Sequence, residues 1–164
     1  MRLAITFLLW ACVAAGAASQ EPAKMETHDD LLIRVEKKAP GFGGMFIDSD
    51  GRLAVYLLDI AQLADARSAI EAVFGSSRVP AAGIRAVQGQ YVVSQLKAWT
   101  ERAAALLKQP GVTMVDLDEG SNRVKIGVEN SSRTQAVEQA LPSLKIPRKA
   151  VAIEVTGEIR PVVP

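Results

Sequence analysis

Phe42-Gly43-Gly44-Met45-Phe46-Ile47-Asp48 opens a pattern that this chain uses twice. An acidic turn, Asp48-Ser49-Asp50-Gly51, leads into Arg52-Leu53-Ala54-Val55-Tyr56-Leu57-Leu58-Asp59 and then into a stretch with helical spacing. The second copy runs Gly111-Val112-Thr113-Met114-Val115-Asp116-Leu117-Asp118 and turns through Asn122. It continues as Arg123-Val124-Lys125-Ile126-Gly127-Val128 before another helical stretch. Each copy has the order hairpin, helix, strand. Gly51 supplies the positive φ that a tight hairpin turn asks for.

The first hairpin is apolar on both faces. Leu53, Val55 and Leu57 point one way and Ala54, Tyr56 and Leu58 the other, so this strand is covered on both sides or its outer face meets something. Asp59 caps the helix that follows, where Leu63, Ala66, Ile70, Val73 and Phe74 keep helical spacing up to a stop at Gly75. Ile84 to Gln88 is a short strand. Val92, Leu96, Trp99, Ala103 and Leu106 then form one apolar stripe, which predicts an amphipathic helix over 91–109 ending at Pro110-Gly111. In the second unit Val124, Ile126 and Val128 oppose Arg123, Lys125 and Gly127. Ser131 or Ser132 caps a helix carrying Val137, Ala140, Leu141 and Leu144 and broken at Pro142. Val151, Ile153 and Val155 alternate with Ala152 and Glu154 in a last strand.

Working outward, Thr27-His28-Asp29-Asp30 is a capping box with Asp in the usual Glu place, opening a helix that Pro40-Gly41 stops. The expected fold is therefore α+β: two β-β-α-β units with small, mainly antiparallel sheets, joined by a long amphipathic helix, with the helices packed on one sheet face. The divisions are a signal peptide over 1–19, a spacer over 20–27, a first unit with its N-terminal helix over 28–90, the connecting helix over 91–109, a second unit over 110–157 and an extended tail over 158–164.

Met1-Arg2 and the uncharged apolar run from Leu3 to Gly16, followed by small residues, have the form of a secretory leader. The run is shorter than the roughly 20 residues of a spanning helix. The expected compartment is secreted or periplasmic, and no membrane span is expected. Trp10 just before Ala11 disfavours a lipoprotein signal at Cys12, the single cysteine. The 19 basic and 18 acidic residues lose Arg2 with the leader, leaving 18 against 18. No basic patch interleaved with aromatics is present, which argues against nucleic acid as a partner.

The catalytic inventory is sparse. His28 is the sole histidine and lies in a polar terminal stretch, where it cannot anchor a Ser-His-Asp triad or a zinc site. Asp116, Asp118, Glu119 and Asn122 break the EF-hand spacing at Gly120 and Ser121 and read as a polar hairpin turn, as do Asp48 and Asp50. Gly41-Phe42-Gly43-Gly44 follows a helix and opens a strand, the reverse of a phosphate-binding loop. Asn130-Ser131-Ser132 is a formal glycosylation sequon that helix capping explains. The chain is expected to be non-catalytic, with no cofactor and no metal.

The run Phe42 to Asp48, with Gly51-Arg52-Leu53 and Val55, resembles the opening of the prosegments of α-lytic protease and the streptogrisins. Pro110-Gly111-Val112-Thr113, with Asp118, Asn122, Val124, Ile126 and Val128, is similar to their second half, and the element order agrees from Leu31 to Val155. The resemblance implies a two-part α+β module that assists folding of a chymotrypsin-like protease and inhibits it. It also implies that the second sheet extends across a protease hairpin while the C-terminal tail occupies the active-site cleft. Arg123, Lys125 and Glu154 on the second sheet, and Glu158, Ile159, Arg160, Pro161, Val162, Val163 and Pro164 in the tail, are then the partner-binding residues. The sequence stops at Pro164, where such precursors continue into the protease, so action in trans is expected. The alternative is a secreted or envelope structural or ligand-binding module, a homodimer through its apolar strand, with no protease partner.

Overall fold

The computed structural model describes residues 26–157. The leader over 1–19, the spacer as far as residue 25 and the tail over 158–164 lie outside the described residues. Within them, helix α1 (His28–Lys38) precedes strands β1 (Phe42–Ile47) and β2 (Leu53–Leu57), helix α2 (Leu63–Phe74) and strand β3 (Ile84–Gln88). Helix α3 (Val93–Ala103), strands β4 (Val112–Asp118) and β5 (Arg123–Val128), helix α4 (Thr134–Ala140) and strand β6 (Val151–Val155) follow. The expected α+β architecture is present, with the β-β-α-β order in both halves.

Each half builds a three-stranded sheet, in the orders β1-β2-β3 and β4-β5-β6. The first pair of each sheet is antiparallel and the second parallel. The sheets are thus mixed rather than mainly antiparallel. A helix between the second and third strands carries the chain back to the starting end, so the third strand can only run alongside the second in the same direction.

The two halves match residue by residue. Both β1 and β4 carry a bulge near their start, at Phe42/Gly44 and at Val112/Met114. The Leu58 amide donates to the Gly41 carbonyl at 2.9 Å, as the Glu129 amide does to Gly111. The Asp59 side chain accepts from the Ala61 amide at 3.0 Å, and Asn130 accepts from Ser132 at 3.1 Å in the same place. Asn130, rather than Ser131 or Ser132, is therefore the cap; the serines sit inside the turn that it closes. The second hairpin turn is one residue longer, so Gly51 and Asn122 fall on equivalent positions, both with positive φ.

Thr27 and Asp30 form the expected capping box, with the Thr27 amide donating to Asp30 at 3.0 Å and the Asp30 amide to Thr27 at 3.3 Å. The stripe on α3 begins at Val93, not Val92, because Val92 is the extended residue before the helix. Leu96, Trp99, Ala103 and Leu106 are buried as the spacing predicts. The stripe meets β1 of the first sheet and β4 and β5 of the second, so one hydrophobic cluster spans both halves. Polar contacts tie α1 to α3. Glu36 accepts from the Ser94 amide and hydroxyl, both at 2.7 Å, and so caps a helix start that lacks a local cap. Among the described residues no helix is long and apolar enough to cross a membrane.

Candidate functional site

The first unit's second apolar face is explained by the other half of the molecule. The β4–β5 turn reaches the outer face of the first sheet, where the Tyr56 hydroxyl donates to the Gly120 carbonyl at 2.9 Å. Ala54 is fully buried and Phe46 lies 5.6 Å from the Tyr56 ring. Leu58 lies beyond the strand end and stays exposed.

Asn122 locks this contact. It is 1% exposed, and its side chain makes four hydrogen bonds. Oδ1 accepts from the Gln90 and Tyr91 amides at 2.9 and 3.0 Å, and Nδ2 donates to the Gly43 and Tyr91 carbonyls, both at 2.8 Å. Gly43 has to be glycine here, because a Cβ would strike the Tyr91 carbonyl and the Asn122 amide. Arg123 extends the same clasp. It donates to the Asn122 carbonyl and to Gln90 Oε1, each at 2.8 Å, and lies 5.3 Å over the Tyr91 ring. Tyr91 in turn meets the buried Trp99 edge-on at 5.0 Å.

The second sheet's outer face carries three charges, Asp116, Lys125 and Glu154, where the first has apolar residues, although Arg85 of the first is matched by Ala152. Phe46, Ala54, Tyr56 and Val87 in the first unit are matched by Asp116, Lys125, Gly127 and Glu154 in the second. Lys125 Nζ stands 3.5 Å from Asp118 and 3.3 Å from Glu154. The hydrogen bond that Lys125 donates to Glu154 and the charge of Asp118 raise the Lys125 pKa above the usual lysine value. Of the three residues expected to bind a partner on this sheet, the structure brings Lys125 and Glu154 together. It spends Arg123 on the clasp. The seven tail residues, Glu158 to Pro164, lie outside the described residues.

Strand β6 forms one edge of this sheet and β4 the other. Arg148 holds the Val151 carbonyl at 2.8 Å, and among the described residues no strand pairs with the far side of β6. Val155 shares the face of Val151 and Ile153 by alternation, yet it is 60% exposed while Val151 is buried.

The acidic turn of the second hairpin spends its oxygens on folding. Asp118 accepts from the Gly120 amide at 3.0 Å and the Ser121 hydroxyl at 2.8 Å, and Asp116 from the Leu117 amide at 2.9 Å. Asp48 does the same for the Asp50 and Arg52 amides, each at 3.0 Å. Among the described residues no group of three His, Cys, Asp or Glu converges as a metal site. His28 is half exposed, 3.6 Å from Glu119 and 5.7 Å from the Phe74 ring. Burial pushes the Glu119 carboxyl above the usual glutamate value, with Asp29 and Asp116 adding to this and its own backbone amide and His28 opposing it.

The clasp residues Gly43, Gln90, Tyr91 and Asn122 carry no sequence motif as a group. The one available signal was Asn122 at the place where the first copy has Gly51, since Asn tolerates the left-handed conformation better than most residues. No protein-family model matches the chain, and no curated protein matches its sequence.

Proposed function

We propose that this chain is an exported, non-catalytic module that binds a chymotrypsin-like serine protease in trans, inhibiting it and assisting its folding. The observation that carries the reading is the free outer edge of β6 on a sheet whose position is fixed by the Asn122 clasp. An unpaired edge offers its backbone to a partner strand, the main chain giving affinity and the flanking side chains selectivity. Glu154 and Val155 flank that edge, and the Lys125–Glu154–Asp118 network lies beside it. Solvent reaches these ion pairs and screens them, so they can exchange partners at little cost. The edge leads directly toward the Pro- and Val-rich residues 158–164 that the resemblance assigns to the cleft. The leader pattern at residues 1–19 supports export.

The test is to refold a denatured chymotrypsin-like protease domain with and without the chain, and to titrate the native protease with it. The refolding yield should rise and the native protease should be inhibited. Deleting residues 158–164 should weaken inhibition sharply while leaving thermal stability nearly unchanged. Failure to alter yield or activity of any secreted chymotrypsin-like protease of the source organism overturns the reading. A dimer in sedimentation that Val155→Lys dissolves, with no effect on proteases, assigns the edge to a second copy instead.

A further inference from the structure

The two halves share their element order, their strand register and the hydrogen bonds of their turns, so that one serves as a template for the other. Between the end of α1 and the exposed side of α2 lies an open groove of about 440 Å³, with Lys38 and Pro40 on one side and Gln62, Asp65 and Ala72 on the other. Ala69, buried, forms its floor. In the second unit Lys108-Gln109-Pro110-Gly111 repeats Lys38-Ala39-Pro40-Gly41. Because Asp59 and Asn130 cap equivalent turns, Gln62 corresponds to Arg133 and Asp65 to Ala136.

Arg133 fills the second unit's version of this place. Its Cγ, Cδ and Nε lie 2.6–2.9 Å from where a Cβ on Gly111 would stand, so the side chain lies flat over the Pro-Gly turn. Over Gly41 the nearest atoms to such a Cβ are Leu58 Cβ at 3.6 Å and Gln62 Oε1 at 3.9 Å, and Gln62 also lines the neighbouring groove. The fold thus accepts an arginine arm at this position, and it does so beside Lys108, the counterpart of Lys38. The first unit adds a carboxylate, Asp65, where the second has only a methyl group. Asp65 is exposed and has no ion-pair partner among the described residues.

We propose that this groove takes the side chain of an arginine presented by a partner polypeptide. The aliphatic stem lies over Pro40 and the Ala69–Ala72 side of α2, and the guanidinium meets Asp65. Arginine fits better than lysine, because a planar guanidinium on an apolar stem matches a flat groove with a carboxylate at its end, whereas an ammonium is a compact, strongly hydrated charge. The groove belongs to the first unit and the β6 edge to the second, so the inference stands apart from the protease reading.

The test is an amide chemical-shift titration of the isotope-labelled full chain with N-acetyl-Gly-Arg-Gly-amide, alongside the lysine and citrulline analogues and free arginine. The arginine peptide should shift the amides of Lys38, Gln62, Asp65, Ala69 and Ala72. The citrulline analogue, uncharged but of similar shape, should bind several-fold more weakly, and the lysine analogue should fall between. Asp65→Asn should lower affinity by roughly 2- to 5-fold, the scale of one exposed ion pair. Gln62→Arg, which copies the second unit, should abolish the shifts by filling the groove from within. Scattered shifts or none with the arginine peptide, equal binding of the citrulline analogue, or undiminished binding to the Gln62→Arg chain would each overturn the proposal. Stronger binding of free arginine than of the peptide would assign the groove to a small molecule and overturn it as a polypeptide site.

Discussion

Replacing Asn122 tests whether the two halves are held by one buried side chain. Asn122→Ala deletes four hydrogen bonds of 2.8–3.0 Å and leaves the Gln90 and Tyr91 amides and the Gly43 and Tyr91 carbonyls without their partner. Water can reach the Gln90–Tyr91 side, which is partly open, but the Gly43 carbonyl is buried. At about 1 kcal/mol for each of the three bonds that water can replace, and about 1–3 kcal/mol for the buried group left unpaired, the loss comes to roughly 4–6 kcal/mol. Alanine at φ 55° adds about 1 kcal/mol that glycine avoids. Asn122→Gly should therefore be about 1 kcal/mol more stable than Asn122→Ala, the reverse of the usual ranking. Asn122→Asp keeps the two acceptor bonds but turns an oxygen toward two carbonyls, so it should be the least stable of the three at neutral pH. It should recover as pH falls and the carboxyl regains a proton it can donate. Urea denaturation followed by Trp99 fluorescence, in a chain whose other tryptophan is replaced by Trp10→Phe, reads all three. Against a total of about 5–15 kcal/mol for a domain, such losses are unmistakable. An Asn122→Ala chain within about 1 kcal/mol of the parent, or no gap between Ala and Gly, would refute the clasp.

Gly43→Ala should destabilise by several kcal/mol in the same assay, because the added Cβ meets a fixed carbonyl, while Gly51→Ala, in open space at φ 74°, should cost only about 1–2 kcal/mol. Thr27→Ala should lower thermal stability by about 1 kcal/mol through loss of the α1 cap. Hydrogen bonds from the Thr27 side chain and backbone, with help from Lys97, hold the Asp30 pKa down at about 2. A carboxyl with a lowered folded value stabilises the fold in full above its unfolded value of 3.8, and that contribution disappears as pH falls through about 2; Asp30→Asn should flatten this part of the acid-unfolding curve. Glu119 has the opposite sign. Its raised folded value favours the protonated form, so its contribution is complete at acid pH and is lost as pH rises through the folded value. Glu119→Gln should therefore gain stability relative to the parent between acid and neutral pH, as measured by thermal unfolding across that range.

What the sequence disclosed was what local chemistry controls. The Thr27 box, the stop at Gly75 and the strand Ile84–Gln88 each depend on residues a few positions apart, and each appears as read, while Asp59 caps the short turn Ile60–Gln62 that leads into α2 rather than α2 itself. Non-local contacts were hidden. Asn122 bonds to Gly43 across 79 positions, and nothing in a polar hairpin turn shows that it will be buried against another sheet. The two-faced apolar character of β2 showed that a cover was needed but not that the cover would be the second hairpin. Alternation placed Val155 inward, yet a period of two reports only which face a residue shares, not whether anything covers that face. The resemblance placed Arg123 among the partner-binding residues, and nothing local showed that Tyr91 and Gln90 would also hold it. The open groove at Asp65 emerges only when the two halves are compared in space, because it rests on two side chains, Gln62 for Arg133 and Asp65 for Ala136.

Backbone hydrogen exchange of the chain, alone and saturated with a catalytically inactive chymotrypsin-like protease, tests the central claim most directly. The account predicts that amides of Val151–Val155 become protected in the complex while those of Ile84–Gln88, the equivalent edge of the first sheet, are unchanged. Unchanged exchange along β6 at saturation, or protection confined to the first sheet, would contradict it.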